Sequence, residues 1–279
     1  MATSTDGGAF ARLDRTKFFA ALKPMFGSYT QAQVDGLNHL LDVFLTYALV
    51  LDRRLLAYII ATSFHETGRR MQPVREGFAT TDAGARAAVA KLFARGAISR
   101  NYALPNARGL SFYGRGDVQL TFEDNYRRMG VLLGVPLADD PDLALDPTIS
   151  KRILVEGVTR GVSQKGDFTG KALEDYIHGD VCDYVGARRT VNGTDKAELI
   201  AGYARKAEAA LIAAGMPLVG VRMPDALGKP APVATQPATP ASYAPAASVA
   251  PAPAPALSPS RNLFQRVADR LRAAYPVKG

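Results

Sequence analysis

The sequence predicts a mainly helical fold with at most a small β-hairpin. Three observations carry this. Apolar residues recur at three- and four-residue spacing along most of the chain. Strict apolar–polar alternation is scarce. The periodic runs are bounded by capping side chains, glycines and prolines, the ordinary punctuation of helices.

The elements follow in order. Residues 16–25 read as a short helix stopped around Lys23-Pro24 and Gly27. Thr30 and Gln33 form a capping box, hydroxyl and amide each serving an orphan backbone N–H, ahead of Val34, Leu37, Leu41, Phe44 and Leu45. Asp52 caps the next helix, whose inner stripe is Leu55, Leu56, Ile59, Ile60 and Ser63. His65 and Glu66 fall on its last turn, before Gly68. Residues 83–93 form an alanine-rich helix, and Asn101-Tyr102 and Pro105-Asn106 lie in loops. Segment 111–121 carries glycines 114 and 116 around Arg115, then a strand pattern at Val118 and Leu120. Thr121 caps a helix over 125–133 that Gly134 ends. Asp146-Pro147 opens another, with proline at its first position, running through Ile153, Leu154 and Val158 to Gly161. Residues 169–177 read as a short helix. Segment 188–193 is a loop feeding a last long helix over 195–214, stopped by Gly215.

The organisation is one folded domain over residues 1–219, followed by two appendages. Residues 220–260 are rich in alanine and proline and carry no charge after Lys229, the composition of an extended spacer. Residues 261–279 contain a basic amphipathic helix between Arg261 and Tyr275. Leu263, Phe264, Val267, Leu271 and Tyr275 share one face, and Arg266, Arg270 and Arg272 lie elsewhere.

The 279 residues carry a net charge of +8. That favours an anionic partner: nucleic acid, an acidic membrane face or an anionic wall polymer. Cys182 is the single cysteine, which excludes an intrachain disulfide. His178 four positions earlier would share a helical face with it, but two ligands do not make a zinc site, and Cys182 is read as structural. The glycines of 114–116 match neither a phosphate loop nor a dinucleotide fingerprint. The apolar stretch 40–61 is broken by Asp42, Asp52, Arg53 and Arg54, short of the roughly 20 apolar residues of a membrane span. Residues 1–8 lack the basic-then-apolar plan of a signal peptide, so synthesis in a cytoplasm is expected.

The chemistry centres on F-H-E-T-G-R-R-M-Q-P-V-R-E-G-F, residues 64–78, where Glu66 and Glu76 stand ten positions apart. A glutamate ending a buried helix is expected to hold its proton near neutrality. A second glutamate, on the irregular segment after it, is expected to be solvated and ionised. One carboxylic acid facing one carboxylate is the minimum equipment of glycoside hydrolysis.

With these pieces the chain resembles the family 19 glycoside hydrolases, the chitinase-like group that includes many phage endolysins. The resemblance spans about residues 57–211. It rests on F-H-E-T-G at 64–68, Y-G-R-G-D-V-Q-L-T at 113–121 and R-R-T-V-N-G at 188–193, in that order. It implies a bilobed, lysozyme-like helical domain and an inverting mechanism. Glu66 would be the general acid and Glu76 the general base, with the carboxyls about 6.5–9.5 Å apart. Thr121 would hold the attacking water; Gln119, Asn125 and Tyr113 would contact the sugar; His65, Arg115 and Asn192 would orient or support the site.

No metal or cofactor is implied. The short interval between the glutamates resembles the phage-type members. The absence of tryptophan and disulfides, unlike plant chitinases, implies a shorter, more open cleft. The expected partner is therefore the peptidoglycan glycan strand rather than nucleic acid, with chitin oligosaccharides as the alternative and a non-catalytic wall-binding protein as a third reading. The chain is expected to be a monomer. It would be made in a host cytoplasm and reach the wall once released across the inner membrane. The helix between Arg261 and Tyr275 would engage an anionic outer-membrane surface.

Overall fold

The computed structural model describes residues 13–220. The expectations for the N-terminal residues, the spacer and the C-terminal amphipathic helix lie outside the described residues.

Helix α1 (Arg15–Phe26) is capped by the Asp14 carboxylate, which accepts from Lys17 N–H, and it carries Pro24 within its last turn. Helix α2 (Gln31–Tyr47) starts on the expected Thr30–Gln33 capping box. Strand β1 (Leu51–Asp52) leads into α3 (Arg53–Glu66), whose N-terminus is capped by Asp52 accepting from Arg54 N–H. Every residue of α3 except Arg53 and His65 is buried, so its stripe has widened to the whole circumference of a central core helix. Full burial of a Leu or Ile side chain such as Leu56, Ile59 or Ile60 contributes about 1.5–3 kcal/mol each.

Strand β2 (Val74–Arg75) is followed by a short 3-10 turn, Glu76–Phe78, and then α4 (Asp82–Ala94). Strand β3 (Arg115–Gly116) pairs antiparallel with β2, Val74 opposite Gly116 and Arg75 opposite Arg115. The hairpin expected near 112–121 is reduced to one bridge, Arg115 with Leu120, and the main partner of β3 comes from the Glu76 side instead. Helix α5 (Glu123–Leu133) begins at Phe122 rather than on a Thr121 cap, and Gly134 in the left-handed region ends it. Helix α6 (Pro147–Val158) is capped by Asp146 and stops three residues short of Gly161.

Residues 169–177 do not form the expected helix. Only Leu173–Asp175 make a 3-10 turn, and Ile177–His178 and Val181–Cys182 pair as the hairpin β4–β5. His178 and Cys182 therefore lie on paired strands rather than one helical face, and Cys182 is exposed. Segment 186–190 is a 3-10 turn where a loop was expected. Helix α7 (Ala197–Ala213) follows, and β6 (Val219–Gly220) returns to pair with β1.

The large core gathers around α3. Helix α7 lies against it, and Ala201, Ala204, Ala207 and Ala210 of α7 are all fully buried, small side chains that admit close helix approach. Helix α1 packs on α7, and α2 on α6. A second, smaller cluster forms around α4 from Ala85, Val89, Leu92, Ile98, Tyr102, Ala103 and Tyr113. Two unequal cores match the two-lobed, mainly helical plan. Among the described residues no helix is long and apolar enough to cross a membrane.

Candidate active site

Glu66 occupies the last turn of α3, and the chain leaves that turn under tight control. Thr67 Oγ1 donates to Ser63 O at 2.7 Å and accepts from Met71 N–H at 3.0 Å. Gln33 and Gln72 amides tie this turn to α2, donating to Arg69 O and Ala32 O. The approach is so close that a Cβ on Gly36 would sit 1.9 Å from Met71 O. Seven described non-glycine residues have positive φ; four of them, Arg69, Met71, Phe78 and Gln119, fall in segments 64–78 and 111–121, which carry the first two signatures, and Phe122 directly follows the second. Such conformations cost about 1–3 kcal/mol each and cluster where a surrounding structure holds a functional arrangement.

The Glu66 carboxylate is nearly buried and accepts from Arg188 Nη1 at 2.8 Å. The guanidinium is fully buried and donates through Nε to Asp195 O at 3.0 Å. The carboxyl that ends the buried helix is thus held against a cation.

Glu76 reverses the second expectation. It is 1 % exposed, not solvated. Oε1 accepts from Tyr102 O–H at 3.0 Å and Oε2 from Gly114 N–H at 2.8 Å, while its own N–H donates to Gly114 O. Desolvation pushes its pKa up to about 7, against the opposing pull of the Gly114 N–H, the Tyr102 hydroxyl and the Arg115 charge. The reason for the correction is tertiary: β3 and the loop bearing Tyr102 close over a segment that is irregular in sequence.

The other site residues divide into two groups. Tyr113 is fully buried, its hydroxyl accepting from Arg75 Nε at 3.2 Å. Arg115 stacks over the Tyr113 ring at 3.7 Å and donates to Asp142 Oδ1 at 2.7 Å and Ser111 O at 2.9 Å. Both are spent on packing the segment rather than on an open surface. Gln119, partly exposed, donates to Val74 O, and Thr121 Oγ1 donates to Gln119 O at 2.8 Å. Asn125, also partly exposed, donates to Thr121 O at 2.7 Å. His65 is partly exposed beside Glu66. Asn192 is buried, its N–H donating to Arg188 O at 2.9 Å.

The three separated signatures are joined by direct contacts. Ser63, just ahead of the first, donates to Asp117 of the second at 2.5 Å, and Glu66 meets Arg188 of the third. Sequence reasoning missed Arg188 as the partner of Glu66 although it stood inside a quoted signature. It also missed Tyr102, for which no local signal exists. Among the described residues no group of three or more His, Cys, Asp or Glu side chains is placed to hold a metal ion. A cavity of about 280 Å³ between α4 and residues 101–105 contains neither glutamate.

Comparison with known proteins adds family evidence. The family model of glycoside hydrolase family 19, described as chitinase class I, matches residues 48–156. Endochitinase 1 of Theobroma cacao is 51 % identical over 47 residues, covering 16 % of this chain and 15 % of that protein. Endochitinase A2 of Pisum sativum is 47 % identical over 47 residues, covering 16 % and 14 %. The chain thus spans about 15 % of the length of such curated relatives. Among solved structures, a bacterial family 19 chitinase aligns at 21 % identity with a TM-score of 0.45, over 72 % of this chain and 96 % of that one. Chitinase C from Streptomyces griseus HUT6037 aligns at 17 % identity with a TM-score of 0.40, over 72 % and 78 %.

Proposed function

We propose that this chain, whose residues 48–156 match the family 19 glycoside hydrolase model, hydrolyses β-1,4 bonds in glycans of the chitin and peptidoglycan type by an inverting, two-carboxylate mechanism. The observation that carries the reading is the unlike setting of the two glutamates. Glu66 faces a buried cation, and Glu76 is buried and accepts from two neutral donors. Carboxyls in unlike settings take different roles in acid–base chemistry.

In this reading Glu66 protonates the leaving glycosidic oxygen and Glu76 activates a water on the opposite face of the sugar. The Gly114 N–H and Tyr102 O–H steady the Glu76 carboxylate. The Thr121 hydroxyl, its proton committed to Gln119 O, offers a lone pair to that water. Arg188 sets a condition on the acid step. Its guanidinium holds Oε1, which leaves Oε2 as the oxygen that carries the proton to the leaving group. His65, Gln119 and Asn125 supply the partly exposed polar groups for the sugar, and Asn192 supports Arg188 from behind.

The finer substrate is the peptidoglycan glycan strand. The charge of +8 suits an anionic wall, and the chain lacks the tryptophan that the plant-type resemblance would supply. Synthesis in a host cytoplasm, release as an endolysin, a monomeric state and membrane contact through residues 261–275 extend the same proposal. The endochitinase relatives favour chitin as the second reading. Purified peptidoglycan and chitin oligosaccharides assayed in parallel separate the two, with mass spectrometry of the new reducing ends. Proton NMR of fresh product tests the mechanism: an initial α-anomer is expected from a β-linked substrate, and an initial β-anomer overturns inversion.

A further inference from the structure

Lys151, on α6, is fully buried, and so is Asp117, which it meets as an ion pair. The ammonium also donates to Met71 O at 3.0 Å and reaches Ser63 Oγ at 3.5 Å. Asp117 accepts from Ser63 Oγ at 2.5 Å and from the Ser150 hydroxyl, and its N–H donates to Ser150 Oγ at 2.9 Å. Three ammonium donors and both carboxylate oxygens are therefore engaged.

Each partner leads to a different part of the site. Ser63 lies one turn before Glu66, and Met71 closes the left-handed turn after it. Asp117 follows Gly116, whose β2 partner Val74 lies two residues before Glu76, and it precedes Gln119 and Thr121. One buried ammonium thus spans the segment carrying Glu66 and the segment whose backbone holds Glu76. A buried ion pair is seldom more stabilising than an apolar pair of equal volume, whereas its directional bonds specify one arrangement.

We propose that Lys151, through Asp117 and Ser63, is a positioning residue that fixes the placement of Glu66 relative to Glu76. It touches neither glycan nor reacting atoms, and the inference rests on the proposed roles of the two glutamates.

Lys151→Met alone leaves Asp117 buried without its cation, so the informative variant is Lys151→Met with Asp117→Asn, which removes both charges together. Expected is a kcat about a hundredfold lower, with KM within about twofold and a melting temperature near the parent's. Lys151→Arg, which keeps the charge but not the compact ammonium geometry, is expected to lower kcat in the same direction. The titration of Glu76, followed by carbon-13 NMR, is expected to shift in the paired variant because β3 moves with Asp117. Parental kcat in a folded paired variant, or in Lys151→Arg if the paired variant does not fold, overturns the proposal, as does an unmoved Glu76 midpoint. A parent chain inert on both glycans counts against the functional reading instead, and the Glu76 midpoint then decides the positioning role by itself.

Discussion

Arg188 Nη1 sits 2.8 Å from Glu66 Oε1, joining the last turn of α3 to a 3-10 turn 122 residues further along the chain. Both groups are out of water, so each carboxylate or guanidinium charge is compensated in large part by the other. This couples the placement of the proposed acid to the folding of a remote segment.

Removing the cation alone should therefore be costly. Arg188→Met leaves Glu66 buried without its partner and is expected to destabilise the fold by about 3–5 kcal/mol. Glu66→Gln added to it should recover most of the loss. Urea denaturation of the three chains checks this; an unchanged midpoint in Arg188→Met would show that the bridge carries no stability.

Glu76 gives a pH-dependent prediction with a definite sign. Its folded pKa of about 7 lies above the ordinary 4.5, so between those values the folded state keeps a proton that the unfolded chain releases. Stability then falls as pH rises through that window and levels off above it. Glu76→Gln removes the buried charge and should exceed the parent by up to roughly 3 kcal/mol near pH 8, while losing activity. The gain should vanish below about pH 4.5. Melts at both pH values test it, and a loss of equal size at each would contradict the assigned burial effect.

The same group should show in the kinetics. A general base must be ionised, so kcat/KM is expected to rise with pH about a midpoint near 7. Glu76→Gln should lose about 10²–10⁴-fold in kcat. A profile flat from about pH 5 to pH 8 would remove Glu76 from the base role.

What was legible in the sequence was local chemistry. The Thr30–Gln33 box, the Asp52 cap, Asp146-Pro147 and Gly134 all appear as read, because each cap is settled within four residues. The class followed from helical spacing for the same reason. The partners of the glutamates were not legible, since Arg188 reaches Glu66 across 122 positions and Tyr102 reaches Glu76 across 26. The start of α5 misled differently. Thr121 has the chemistry of a cap, but its hydroxyl turns back to Gln119 O and the chain enters the helix through Phe122 at φ 73°. Strain of that kind is imposed by the surrounding fold and leaves no mark in propensity.

Gly114 supplies the sharpest test of geometry at the site. A Cβ there would lie 2.7 Å from Glu76 Oε2 and 2.8 Å from Gln119 Oε1, inside contact distance of both. Alanine leaves the N–H that Glu76 accepts, so the change is steric: the carboxylate must move while Tyr102 holds its other oxygen. Gly114→Ala is expected to cost about 1–3 kcal/mol in stability and about a hundredfold in kcat. Gly202→Ala in α7 is the control. Nothing lies within 4 Å of its added Cβ, and helix propensity should return roughly 0.5–1 kcal/mol with activity unchanged. Turnover and melting temperature of both variants decide the matter; parental kcat in Gly114→Ala would show that the close backbone approach is not what places Glu76.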